Sequence, residues 1–100
     1  MAENAGTVTI RLWASARAAA GVDSVAIDVQ GPVSVAWLAA ETVRRAPADG
    51  PGREDPARLT RVLEVCSVLV GDQPLGAADR GEVKVDPGAT IEFLPPFAGG

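Results

Sequence analysis

The sequence predicts an α+β fold, a mixed sheet with one main helix packed across it, and three observations predict it. Two runs near the start alternate polar and apolar residues, as half-buried strands do. A capped run in the middle has its apolar residues at helical spacing. A strand-like run near the end, Thr90-Ile91-Glu92-Phe93-Leu94, leads into Pro95-Pro96-Phe97-Ala98-Gly99-Gly100.

The first strand is Thr7–Leu12, followed by Ala14–Gly21, a short stretch of good helix formers closed by glycine. Ser24–Val29 alternates again, and Gly31-Pro32 breaks it. Ser34 is placed to cap a helix running from Val35 to about Arg45, with Val35, Leu38, Ala39 and Thr42 on one face and Trp37 at its edge. Arg44-Arg45 complements the dipole at its end. Residues 46–56 are rich in Pro, Gly and Asp and read as a surface loop, a tolerated insertion. Ala57–Arg61 suits one helical turn, and Leu63–Val70, mostly apolar, reads as a strand. Gly71-Asp72 makes a turn, Glu82–Val85 a short strand, Asp86-Pro87-Gly88 a tight turn and Thr90–Leu94 the last strand. In that last strand Ile91 and Phe93 share one face, and Glu92 and Leu94 the other. An N-terminal hairpin, a helix across it and a last strand beside the first describe the β-grasp, or ubiquitin-like, fold. The expected division is a domain over 1–94 and a flexible Gly-Gly tail over 95–100.

At 100 residues and 47% hydrophobic content, one domain can build a core without metal or disulfide support. With no histidine and one cysteine, a disulfide framework, a thiolate zinc cluster, a four-cysteine iron–sulfur centre and an imidazole base are excluded within one chain. Cys66, inside an apolar run, reads as a buried structural thiol. The net charge of −4 argues against nucleic acid as a partner. No apolar stretch reaches membrane-spanning length, and Met1-Ala2-Glu3-Asn4 lacks the features of a signal peptide, so the cytoplasm is the expected location.

The tail carries the chemistry. Two prolines cannot continue a ladder. Phe97 then offers an apolar anchor, and glycine lets backbone enter a slot too narrow for side chains. Six extended residues span at most about 20 Å, enough to reach a partner's active site. A carboxylate is a poor electrophile, but an acyl adenylate has lost the charge and gained a leaving group. A sulfur donor can then leave a thiocarboxylate. None of this needs a side chain on the carrier, so the ATP-using machinery belongs to a partner.

The chain resembles the MoaD/ThiS sulfur-carrier family over most of residues 7–100. The resemblance rests on Val8–Ala14, Ser15–Gly21, Ser34-Val35-Ala36-Trp37-Leu38, Val70-Gly71-Asp72 and above all Asp86–Gly100. Pro95-Pro96 points to the molybdopterin synthase small-subunit branch. The resemblance implies that Gly100 is the reacting residue, adenylated and then thiocarboxylated, with Gly99, Phe97, Pro96, Pro95 and Phe93 meeting partners. It implies no bound cofactor or metal, ATP being used by an activating enzyme of the MoeB type. A sulfurtransferase and a large catalytic subunit of the MoaE type complete the partners, and cyclic pyranopterin monophosphate receives the sulfur. Residues 46–56 and 76–81 are longer than the compact family pattern. The alternatives are a carrier for thiamine, cysteine or another thiolation pathway, a ubiquitin-like modifier, and a plain interaction domain. Lys84, the sole lysine, argues against branched polymers but not against single attachment.

Overall fold

Strand β1 (Gly6–Leu12) turns Val8, Ile10 and Leu12 into the core and Thr7 and Arg11 to solvent, following the period of two in its sequence. The computed structural model describes residues 5–47, 50 and 53–96. Helix α1 (Ala14–Ala20) follows, ended by Gly21 at φ 80°, whose N–H bonds Arg17 O at 2.9 Å. Strand β2 (Ser24–Val29) returns antiparallel to β1, pairing Gly6 with Val29 and Arg11 with Ser24. After the two-residue β3 (Val33–Ser34), Ser34 Oγ accepts the Trp37 N–H at 3.0 Å and starts α2 (Val35–Arg45), with the bounds its sequence indicates.

The stretch read as one strand over Leu63–Val70 divides in two. Helix α3 (Arg58–Val65) takes its first half, and only β4 (Ser67–Val70) is strand. Leu59, Val62 and Leu63 recur at spacings of three and four, and Leu59 and Leu63 are buried, so the helical period overrides the apolar run. Two more short elements complete the chain before the last strand. β5 (Gln73–Pro74) pairs with β4, while β6 (Lys84–Val85) pairs with β3 apart from the main sheet. Last comes β7 (Thr90–Leu94).

The main sheet has the order β2-β1-β7-β4-β5, and β7 is therefore its middle strand. It runs parallel to β1, with Ile10 opposite Ile91 and Leu12 opposite Phe93, and antiparallel to β4. Val8, Ile10, Ile91 and Phe93 point to the face that the helices cover, where Val35, Leu38, Leu59 and Ala16 meet them in one core. The larger helix count follows from α1 and α3, which pack against each other beside α2.

Polar groups drawn inward are partnered. Thr42 Oγ1 donates to Leu38 O at 2.8 Å. Glu41, only 9% exposed, accepts from Arg45 Nε at 3.0 Å and from Arg44 Nη1 at 2.6 Å, so Arg44-Arg45 grips a carboxylate as well as standing at the helix end. The bond from Arg45, with Arg44 beside it, holds the Glu41 carboxyl below its ordinary value against the opposing pull of desolvation. Arg53, in the loop of residues 46–56, donates to Pro47 O and to Ala19 O, fastening that loop to the end of α1. Residues 48, 49, 51 and 52 of that loop lie outside the described residues.

The start of β1 and the turn before β7 are in close contact. Gly88, at φ 93°, donates its N–H to Thr7 O at 3.0 Å, and Thr9 N–H donates to Ala89 O at 3.1 Å. An L-residue at Gly88 must adopt a left-handed conformation that costs roughly 1–2 kcal/mol. Gly88→Ala is therefore expected to lower the stability of the chain by about that amount in urea or thermal unfolding, with the midpoint shifted and the folded-state circular dichroism unchanged.

Candidate functional site

The site is the place where the chain leaves the middle of the sheet. β7 ends at Leu94, followed by Pro95, half-buried, and Pro96, exposed. Neither proline can donate to a ladder, and β7 stops about level with the ends of both its neighbours. On one side stands the end of β1, where Trp13 N–H bonds Phe93 O at 3.3 Å. On the other stands the start of β4, where Ser67 lies opposite Leu94. Helix α1 begins next to the first and α3 ends next to the second.

Trp13 is 40% exposed, and it is held in place. Its Nε1 donates to Glu92 Oε1 at 2.9 Å, and the Arg11 guanidinium lies 5.0 Å from its ring centroid. Arg11 and Glu92 are register partners across β1 and β7, and Leu69 faces Glu92 from β4. The outward face of the central strands thus presents an aromatic ring, Leu69 and Leu94 beside Arg11 and Glu92. Ala14, next along the chain, has φ 49°, the left-handed region that a non-glycine residue seldom takes. The strained turn lifts the chain from β1 into α1 and leaves Trp13 on the sheet's outer face. Beyond the other neighbour, Val65 at the end of α3 is 64% exposed. Exposed large apolar groups therefore lie near the exit at the ends of both neighbouring elements, as they do at the centre of a docking surface.

Of the residues expected to meet partners, Pro95 and Pro96 stand at this exit, and Phe97, Gly99 and Gly100 lie outside the described residues. Phe93 requires correction. It is fully buried, on the helix-facing side of β7, so it anchors the strand and is closed to a partner. Its alternation with Glu92 and Leu94 already placed it inward. Trp13 and Val65 were not singled out as site residues. The Trp13 signal was there, since Thr7, Thr9 and Arg11 put position 13 on the outer face; Val65 was hidden by reading Leu63–Val70 as strand.

Comparison with protein-family profiles gives no match, and comparison with curated protein sequences gives none either. Solved structures do match. Small archaeal modifier protein 1 of Haloferax volcanii superposes at a TM-score of 0.66 with 22% identity, covering 91% of this chain and 98% of that one. Small archaeal modifier protein 1 of Methanosarcina acetivorans gives 0.67 with 18% identity, covering 96% and 98%. A Pyrococcus furiosus protein provisionally described as subunit 1 of molybdopterin converting factor gives 0.65 with 16% identity, covering 91% and 98%. The chain has the ubiquitin-like β-grasp fold.

In this β-grasp chain the single thiol stands just behind the exit. Cys66 is 6% exposed, and burial pushes its pKa from 9.0 up to about 11, with the positive charge of Arg80 opposing the rise. Among the described residues, no three His, Cys, Asp or Glu side chains gather in a metal-binding group, and no helix is long and apolar enough to cross a membrane. At pH 8, alkylation of Cys66 by iodoacetamide is expected to run on the order of a hundredfold slower in the folded chain than in urea. Because the unfolded thiol ionises first, the stability it contributes is present below pH 9 and is lost as pH rises towards 11. Equal labelling rates in the two states are the contrary result.

Proposed function

We propose that the chain is a sulfur carrier whose Gly100 carboxyl is the reacting group. The observation that carries this reading is the rooting of the 95–100 segment in β7, the middle strand of the sheet, between Trp13 and the α3 end. An end that must be threaded into another protein's active site gains from a rigid base, because binding energy at the base is then spent on placing the reacting atom. The likeness to a protein described as a molybdopterin converting factor subunit supports the same reading.

The transfer has three steps. The Gly100 carboxylate attacks the α-phosphorus of ATP on an activating enzyme, and pyrophosphate leaves. Sulfur at the oxidation level of sulfide, delivered by a sulfurtransferase, then attacks the acyl carbon and AMP leaves. A large catalytic subunit accepts the thiocarboxylated end, its sulfur attacks cyclic pyranopterin monophosphate, and water then cleaves the Gly100 acyl–sulfur bond, which returns the carboxylate; two such transfers complete the dithiolene. This chain supplies the reagent and its placement; Gly99 admits the backbone to a narrow slot, and Phe97 anchors it. Within the class the molybdopterin synthase small subunit is the reading we favour, on the Pro95-Pro96 step. A second reading, a protein modifier joined through the same carboxyl, is supported by the modifier proteins among the similar structures. The adenylate step is common to both, and they part at the nucleophile, sulfur in one and an amine in the other.

Co-expression with the activating enzyme and sulfurtransferase followed by intact-mass measurement tests the carrier reading. The chain should gain one sulfur for one oxygen. Removing Gly100, or adding a residue after it, should abolish that gain with circular dichroism unchanged. Sulfur on the deletion variant would sink the assignment, and lysine-linked adducts in place of sulfur would favour the modifier.

Trp13 gives a second test. Trp13→Ala is expected to weaken binding of the activating enzyme by roughly ten- to a hundredfold, as loss of an interfacial aromatic anchor does. The melting temperature should fall by only a few degrees, because the ring is half in solvent. Unchanged binding would remove Trp13 from the docking surface.

A further inference from the structure

The two stretches that exceed the compact pattern, 46–56 and 76–81, each send an arginine to the end of a helix. Arg53 donates to Ala19 O of α1 at 3.0 Å. Arg80 donates from Nη1 to Leu63 O at 2.8 Å and from Nη2 to Cys66 O at 2.7 Å. The last carbonyls of a helix lack partners within it and carry partial negative charge, so a forked guanidinium suits them.

The two arginines stand at different places. Ala19 is at the far end of α1 from the exit, whereas the carbonyl of Cys66 immediately precedes Ser67, which lies opposite Leu94. The Arg80 guanidinium also lies 5.8 Å from the centroid of the Phe93 ring, two residues before Pro95. Its own backbone is fixed. Ala36 N–H of α2 donates to Arg80 O at 3.0 Å. Next to it, Asp79 Oδ1 accepts the Gly81 N–H at 2.7 Å. One side chain therefore joins the 76–81 loop, the end of α3 and the inner face of β7 where the chain leaves the sheet.

We propose that Arg80 is a positioning residue for the transfer reaction: it fixes the direction in which the 95–100 segment leaves β7, so that Gly100 reaches the partner's active site in register. The proposal rests on the carrier reading. Without Arg80 the α3 end and the 76–81 loop lose their side-chain tie to the inner face of β7, and the segment meets the partner over a wider range of directions.

The test is ATP–pyrophosphate exchange by the source organism's adenylating enzyme, measured over a range of carrier concentrations. The carriers compared are wild type, Arg80→Ala, Arg80→Lys and Arg53→Ala. Arg80→Ala should raise the half-saturating concentration roughly tenfold, because a smaller fraction of encounters then presents the segment in the docking direction, with little change in the plateau rate. Arg80→Lys should lie between, since an ammonium keeps a charge at the carbonyls but not the planar fork. Arg53→Ala, which loses a clamp of the same kind away from the exit, should lower the melting temperature yet saturate like wild type. If Arg80→Ala does not fold, Arg80→Lys carries the comparison. Saturation of the folded Arg80 variants at the wild-type concentration overturns the proposal, as does an equal shift in Arg53→Ala. Absence of exchange with the wild-type chain overturns the carrier reading and this inference with it.

Discussion

The parallel pairing of β1 with β7 is the constraint on which the rest of the molecule depends. It joins residues about eighty positions apart, Thr9 to Thr90 and Leu12 to Phe93. Two parallel strands cannot be linked by a tight turn, so the chain between them must cross over one face of the sheet. α1, α2 and α3 fill that face, and the inward residues Ile10, Ile91 and Phe93 form the surface they cover. Complete burial of Phe93 alone is worth roughly 1.5–3 kcal/mol. At the other end of the pairing, the Gly88 and Ala89 bonds to Thr7 and Thr9 fix the register. Parallel direction also decides where the chain emerges: beside Trp13, at the end of β1 where α1 begins.

The helices that cover the sheet are short, and their ends are secured from outside. α1 has seven residues and α3 eight, too few to be stable alone. Arg53 and Arg80 donate to carbonyls at the ends of these helices. Asp55 serves the start of α3, accepting the Ala57 N–H at 3.0 Å and the Arg61 guanidinium at 2.6 Å, which holds its carboxyl below the ordinary value. Among the described residues, no buried side-chain nitrogen or oxygen lacks a partner. The longer loops thus contribute polar closure to a core made mainly of small and aliphatic side chains.

Placement and chemistry are divided in the proposed function. The chain contributes a rigid platform, exposed apolar groups near the exit and a thin end, and the partners contribute nucleotide, sulfur and cationic groups. The net charge of −4 is consistent with that division, since an acidic carrier is ill suited to holding an anionic pterin itself. Trp13 is the clearest of the exposed apolar groups. A half-exposed indole is adaptable when free, but here a carboxylate and a guanidinium fix its plane, so little conformational freedom remains to be lost on docking.

Wherever a local period or cap decides the outcome, the sequence by itself determined the result. The alternation in β1, β2 and β7, Ser34 as the start of α2, the stop at Gly21 and the burial of Cys66 all follow from neighbours within a few positions. The fold class, with its last strand beside the first, followed from element order. Tertiary structure decided the rest. Leu63–Val65 is apolar enough for either a strand or a helix, and the packing of Leu59 and Leu63 into the core with α1 and α2 makes the helical period of Leu59, Val62 and Leu63 prevail. Val33–Ser34 is too short to announce itself and exists as a strand because the fold brings it beside Lys84–Val85, the paired part of the strand expected over Glu82–Val85. At the site, Pro95 and Pro96 were legible because proline acts locally. Phe93 went inward because the face on which a side chain lies, not its chemistry, decides what it can touch. Arg80 was illegible because its partners stand fourteen and seventeen residues away, and a guanidinium's role is set by whatever carbonyls the fold places within its reach.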